Sequence, residues 1–432
     1  MELYKYQKDG VDFLISRKHT LLADDMGLGK TVQAIKASLI LIASGKVKNK
    51  ILVICPASVK LNWRKEWLKW SGVESDIIKK RSDVLQLKEV VTIINYEMLI
   101  KDEVIKALKQ RSYGICIVDE AHYLKSKGSK RTRAVLGRNG IIKHCTYKML
   151  LTGTPVLNRP VELFPILKTL FSEQIKDYPD YISFIYQYCG AYQTHFGIDC
   201  KGASHIKELK AKLQNIMLRR TKDEVNLELP NKVVTHIPLQ ASSKVLALEK
   251  DLGSTKDQII KYIVGNENAV LGEMATVRRK LSEFKTKQVV TYIKDLLEDV
   301  DKLVVFTYHR NMLSKIAEVF KNVGVSIVQG GMSADAKQQN IDDFQGENRV
   351  FLGQINSAGV GIDGLQRVCN QVLFAEYSWT PADLWQAEDR LCRIGQESDT
   401  VFIQYLYYAN TLEETILNTL NKKRKIIGKI LT

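Results

Sequence analysis

Short, strongly apolar runs separated by helical stretches recur in two blocks along the 432 residues, and this alternation restricts the fold more than any other feature. Residues 51–54, 92–94, 115–118 and 149–152 are apolar, rich in β-branched side chains and bounded by polar or turn residues. That is the pattern of strands covered on both faces. It lapses over 159–226, where Tyr, Lys and Leu recur at helical spacing, and resumes at 303–306, 325–328, 350–352, 372–375 and 401–405. Strands alternating with helices predict parallel sheets flanked by helices, and a chain of this length exceeds one core of ordinary size. Two α/β blocks are therefore expected.

The expected division is 1–158 for a first lobe, 159–227 for a helical insertion that returns to it, and 228–240 for a linker. A second helical insertion follows at 241–287, then a second lobe at 288–432 that ends in a bracing helix. The seam is set near Leu229, Pro230, Asn231 and Lys232, because proline disfavours helical backbone before it. Thr411 with Glu414 has the spacing of a capping box, and the helix it opens runs into Lys422, Lys423, Arg424 and Lys425.

Lys and Arg total 64 against 48 Asp and Glu, a formal charge of +16, which favours a polyanionic partner through counterion release. A membrane partner is not expected, since the longest largely apolar run, 37–43, is far short of the roughly 20 residues of a span. Seven cysteines without a CxxC pair argue against a disulfide framework, and the first residues lack a signal-peptide core, so an intracellular, reduced protein is expected. Cys189, His195, Cys200 and His205 fall close together, but their spacing fits no familiar zinc pattern.

Asp24, Asp25, Met26, Gly27, Leu28, Gly29, Lys30 and Thr31 carry the densest chemistry. Gly27 and Gly29 let backbone N–H groups turn in around phosphate, and the helix that follows presents its N-terminus to the same charge. Lys30 suits the β- and γ-phosphates and Thr31 a magnesium ion. Asp24 stands where the strict phosphate-loop pattern has its first glycine; alone, the run would also fit a glycine turn before a helix. Asp119 and Glu120, however, close an apolar run, and carboxylates at the carboxyl end of a parallel strand face the ligand crevice. There Asp119 can hold magnesium and Glu120 can polarise an attacking water. Phosphoryl transfer also needs positive charge beyond the γ-phosphate. Gln386, Arg390 and Arg393 have the i, i+4, i+7 spacing of one helical face and could supply it.

With these elements in place, the sequence resembles the Swi/Snf family of double-stranded DNA translocases within the second helicase superfamily. The matching segments are 6–13, 23–31, 54–63, 94–98, 119–122 (Asp, Glu, Ala, His), 151–155, and 218–225 followed by 229–232. In the second block they are 305–308, 330–332, 357–363, 379–381 and 386–396. Residues 24–31, 373–376 and 386–390 look most like the annealing-helicase branch. The resemblance implies two RecA-like lobes of the P-loop class, with ATP and Mg2+ as cofactors. It implies Gln7 as the base-reading residue, with Gly361, Asp363 and Gln386 also at the nucleotide. It places Lys30, Asp119, Glu120, Arg390 and Arg393 in catalysis, and His122, Thr152 and Thr154 in coupling hydrolysis to movement.

The resemblance further implies a DNA track lined by Ser58, Lys60, Asn95, Tyr96, Ser357, Ala358, Gly359 and Trp379. The expected partner is duplex or branched DNA bound without sequence preference by a monomer, with protein partners recruited in trans. Lys337, Cys392 and the run Ile362, Asp363, Gly364 depart from the usual pattern, the last in a loop expected to touch DNA. Two alternatives stand beside this reading: a strand-separating DNA or RNA helicase of the same superfamily, and an ATP-gated clamp that does not hydrolyse.

Overall fold

The computed structural model describes all residues except 1, 154–158, 196, 201, 223, 226–228, 253–270, 359–361, 379–380 and 432. The side chains of 271–274, 358, 381–382 and 423–431 are also outside the description. The chain divides into two compact units, 1–227 (with 429–432) and 228–428.

The first unit is built on a seven-stranded sheet. Its strands are β1 (His19–Leu22), β2 (Ile51–Cys55), β3 (Ser75–Ile77), β4 (Val91–Asn95), β5 (Ile115–Asp119) and β6 (Tyr147–Leu151). A hairpin of β7 (Tyr192–Thr194) and β8 (Gly197–Asp199) stands apart, and β9 (Met217–Leu218) returns to the sheet. The order is β3-β4-β2-β5-β6-β1-β9, parallel throughout. Every residue of β2 and β4 is buried, as strands covered on both faces of a sheet require. The order matters for chemistry. β6 lies between β5 and β1, and Leu151 is level with both Asp119 and Leu22. The segments leaving β5, β6 and β1 therefore emerge side by side.

The second unit has a six-stranded parallel sheet of β10 (Asn231–Leu239), β11 (Leu303–Thr307), β12 (Val325–Val328), β13 (Val350–Gln354), β14 (Gln371–Phe374) and β15 (Thr400–Tyr408). Their order is β10-β15-β14-β11-β13-β12. Two expectations are corrected here. The segment expected as a linker, 228–240, contains β10, which pairs with β15 over all nine residues. Lying at the sheet edge, with several residues exposed, β10 lacks the continuous apolar run of a central strand, and the edge position tolerates its Pro238. The boundary expected between 287 and 288 falls inside one helix, Leu271–Asp299. Val277 and Leu281 from its first part and Val289 and Ile293 from its second are all buried.

The last helix, Leu412–Leu431, starts where Thr411 and Glu414 predict a cap, with the bonds shifted. Thr411 Oγ1 accepts from the N–H of Glu413 at 3.2 Å, and the Glu414 carboxylate accepts from that of Asn410 at 2.7 Å. Lys285, fully buried on Leu271–Asp299, donates to the Glu413 carboxylate at 3.0 and 3.2 Å and to the Leu406 carbonyl at 2.6 Å, which ties the two helices to β15.

Candidate active site

β1 runs into a loop that ends at helix α2, Lys30–Ala43, while helix α1, Lys5–Ser16, packs on α2. Gly27 and Gly29 have φ of 85° and 75°, a left-handed backbone that L side chains rarely adopt. A Cβ at Gly29 would lie 2.5 Å from Nε2 of Gln7, so the loop and the base-reading candidate approach closely only because this residue is glycine. Gln7 Nε2 donates to the Leu28 carbonyl at 3.4 Å, and Tyr6 Oη donates to the same oxygen at 3.1 Å. Lys30 Nζ donates to the carbonyls of Asp24 at 2.7 Å and Asp25 at 3.0 Å. Burial lowers the proton affinity of Lys30, and the charges of Glu120, Asp24, Asp119 and Asp25 oppose that shift.

At the end of β5, Asp119 is pushed up to about 6, first by burial and then by the neighbouring Glu120 charge; a bond from Trp63 and the charge of Lys30 pull the other way. Trp63, on helix α3 (Lys60–Ser71), donates Nε1–H to Asp119 Oδ2 at 2.8 Å. Tyr96 donates to the Asp119 carbonyl at 2.6 Å. Glu120 takes a left-handed backbone, φ 50°, and its Oε2 lies 3.1 Å from His122 Nδ1. The same nitrogen lies 3.2 Å from Thr152 Oγ1. Glu120, His122 and Thr152 thus form a continuous polar chain from the end of β5 to the residue after β6. The sequence motifs mark all three, whereas Trp63 lies within the matching segment 54–63 and its side-chain role has no signal of its own.

Asp24, which breaks the strict phosphate-loop pattern, and its neighbour Asp25 have partners far along the chain. Arg219 Nη2 donates to Asp25 Oδ1 at 2.9 Å, and Arg219 Nη1 to the Ala23 carbonyl at 3.0 Å. Arg220 grips fully buried Asp24 with Nε and Nη2, the Nε bond being 2.9 Å. Asp24 replaces a glycine's freedom with a charge that Arg220 fixes.

In the second unit, the helix Pro381–Glu388 stops before the arginines, which corrects the expectation of one helical face. Gln386 is buried; Arg390 and Arg393 lie in the irregular turns that follow. Arg390 closes the helix by donating from Nε to the Gln386 carbonyl at 3.1 Å, and it reaches the Ile362 carbonyl from Nη1 at 2.9 Å. Arg393 Nη1 lies 3.1 Å from Asp363 Oδ1. Burial would raise the Asp363 pKa, but Arg393, a bond from Gln366 and the Arg390 charge hold it below the ordinary value. The expected nucleotide contact Asp363 is thus an arginine's partner, and Gly361 lies outside the described residues.

Comparison with known families gives a match to the SNF2-related domain over residues 6–299 and to the helicase conserved C-terminal domain over 286–395. The chain belongs to the SNF2-related family. It is similar to the human DNA annealing helicase and endonuclease ZRANB3, 34% identical over 451 residues, covering 100% of this chain and 40% of that protein. The SWI/SNF-related matrix-associated actin-dependent regulator of chromatin subfamily A-like protein 1 of Xenopus laevis is 32% identical, with 99% of this chain and 44% of that protein covered. The chain thus spans less than half the length of these relatives. It is also similar to the solved Sulfolobus solfataricus SWI2/SNF2 ATPase core in complex with dsDNA, at 25% identity and TM-score 0.45, covering 100% of this chain and 93% of that one.

The residues expected on the nucleic-acid track of this SNF2-related chain are in mixed positions. Tyr96 is buried and turned to the Asp119 carbonyl, stacked on Tyr123 at 5.5 Å, so its side chain belongs to the carboxylate site. Lys60 donates to the Ile78 carbonyl at 3.0 Å and to Asn95 Oδ1 at 3.1 Å, while Asn95 is buried and bonded to Glu97. Ser58 is half-buried, and the Ser357 carbonyl accepts from Lys337 at 3.5 Å. Thr154, Gly359 and Trp379 lie outside the described residues, as does the side chain of Ala358. Cys189 is buried in the first unit's core and His205 bonds the Gln187 carbonyl; among the described residues no three metal-ligating side chains converge.

Proposed function

We propose that the chain is an ATP-hydrolysing motor that moves along or remodels double-stranded or branched DNA. The observation that carries this reading is the proximity of Lys30, at the start of α2, to Asp119 and Glu120 at the end of β5, with Glu120 continued into His122 and Thr152. A lysine beside a glycine-lined loop suits nucleotide phosphates, and adjacent carboxylates suit the water and cation of a hydrolytic transfer. The donors fit magnesium: Asp119 and Thr31 offer hard oxygens, and a divalent cation offsets both the burial and the Glu120 charge that push Asp119 up to about 6. When bound, that ion supplies charge neutralisation for the phosphates.

In this reading Gln7 meets the adenine, the N–H groups of 27–31 take the phosphates, and Lys30 leaves the Asp24 and Asp25 carbonyls for phosphate oxygens. Glu120 orients the attacking water. His122 and Thr152 sense the Glu120 carboxylate and pass its state to the segment after β6. Arg390 and Arg393 stabilise charge that develops on the transferred group. The basic excess supports a sequence-independent hold on phosphates.

ATPase rates measured side by side with duplex, forked and single-stranded DNA and with RNA test the proposal. Stimulation is expected to be strongest with DNA containing duplex, and Lys30→Ala and Glu120→Gln are expected to lower turnover at least about 100-fold. Strongest stimulation by RNA would favour an RNA helicase; wild-type turnover in Lys30→Ala would remove the site assignment.

A further inference from the structure

We infer that Arg220 is a positioning residue for nucleotide recognition, one that sets the register of the base-reading helix α1 on the phosphate loop. The inference rests on the proposed nucleotide site and adds a residue from a distant part of the chain. One guanidinium reaches three elements. It holds the Asp24 carboxylate at the start of the loop, donates from Nη2 to Gln33 Oε1 on α2 at 3.0 Å, and donates from Nη1 to the Tyr6 carbonyl on α1. Its Cζ also lies 5.3 Å from the centre of the Tyr6 ring. Gln33 closes the circuit by donating to Asp24 Oδ2 and to the Leu28 carbonyl, both at 3.2 Å.

Two further observations argue for a role in recognition rather than simple cohesion. Tyr6 and Gln7 share the Leu28 carbonyl, so a shift of α1 against the loop moves the base-reading amide relative to the phosphate-binding N–H groups. Gly10 shows how close the packing is: a Cβ there would lie 1.8 Å from Gln33 Oε1 and 2.7 Å from Arg220 Nη2. α1 can approach the network only with glycine at this position. Asp24, Gln33 and Arg220 therefore act as one rigid template on which α1 seats, and Arg220 has the planar fork the template needs, which lysine lacks.

The experiment compares wild type, Arg220→Lys and Gly10→Ala as full chains with saturating duplex DNA, measuring kcat and KM for ATP and for GTP. The expected result for Arg220→Lys is a KM for ATP raised about tenfold with kcat altered far less, and an ATP-over-GTP preference in kcat/KM reduced by about the same factor. Gly10→Ala, which keeps every charged partner, is expected to shift KM and preference in the same direction. If Arg220→Lys does not fold, Gly10→Ala decides alone. A wild-type KM for ATP and an unchanged preference in the variants, whatever their thermal midpoints, would overturn the inference; so would a wild type that uses ATP and GTP equally. Persistent turnover in Lys30→Ala would instead strike the site reading, so the two failures are distinguishable.

Discussion

Of the aspartate–arginine pairs near the candidate catalytic residues, Asp24–Arg220 and Asp363–Arg393 differ in burial. In the first unit, the Asp24 side chain is 0% exposed and Arg220 13%. In the second, Asp363 is 40% exposed and Arg393 23%, at 3.1 Å. A buried pair loses hydration that the mutual attraction offsets only with further bonds, which Gln33 and the Tyr6 carbonyl provide. A half-buried pair keeps part of its hydration and lies nearer the surface-pair value of about 0–1 kcal/mol. The contrast assigns different work to the same chemistry. On the proposed reading, Asp24–Arg220 is a fixed part of the nucleotide platform, whereas Asp363–Arg393 is a resting arrangement from which Arg393 is released for catalysis.

The largest effect expected from this contrast is at Asp24. Asp24→Ala leaves the Arg220 guanidinium in a largely buried position without its carboxylate, at a cost of about 3–5 kcal/mol to the first unit. Amide hydrogen exchange resolved by segment is the suitable readout, because a chain of two units need not unfold in one step. β1 and β6 should lose protection while β11 and β13 keep theirs. A change below about 1 kcal/mol in β1 would mean that the buried pair is as dispensable as an exposed one.

Next in size is Arg393→Ala. Its expected signature is the reverse: kcat lower by about 100-fold, equivalent to about 2.7 kcal/mol of barrier, with second-unit protection changed by less than about 1 kcal/mol. Equal losses of activity and of protection would make Arg393 a structural residue and dissolve the distinction.

The same contrast explains what the sequence made legible. β2 is a continuous apolar run and β4 and β5 are largely apolar, and their burial follows from that pattern. β10 and the two-residue β9 are readable only from their partners, since edge position and brevity remove the apolar pattern. Local motifs mark Lys30 at a helix start and Asp119 and Glu120 at a strand end. Arg220 falls within the matching segment 218–225, but its role has no local signal, because it depends on Asp24, a residue 196 positions away. The helical spacing of Gln386, Arg390 and Arg393 misled because periodicity reports a possible helix; it does not show where Arg390 turns back to close one at Glu388.

The smallest expected effect is the most exacting check. Asp363→Asn removes the charge from the half-buried pair while keeping its shape. The Asp363 carboxyl is held below its ordinary value by Arg393, Gln366 and Arg390 against the opposing effect of burial. A carboxylate depressed in the folded state stabilises above its unfolded pKa of about 3.9 and loses that contribution as pH falls through the lower folded value. At neutral pH the pair is therefore fully charged, and its contribution does not vary with pH. Asp363→Asn should lower second-unit stability by less than about 1 kcal/mol at pH 7, with the difference from wild type shrinking only under strongly acid conditions. Turnover should stay within about threefold of wild type, because Arg393 keeps its charge and loses a competitor for it. A loss beyond about tenfold in kcat/KM would instead give Asp363 the direct nucleotide contact that its motif suggests, and Arg393 would then be held by a residue of the site itself.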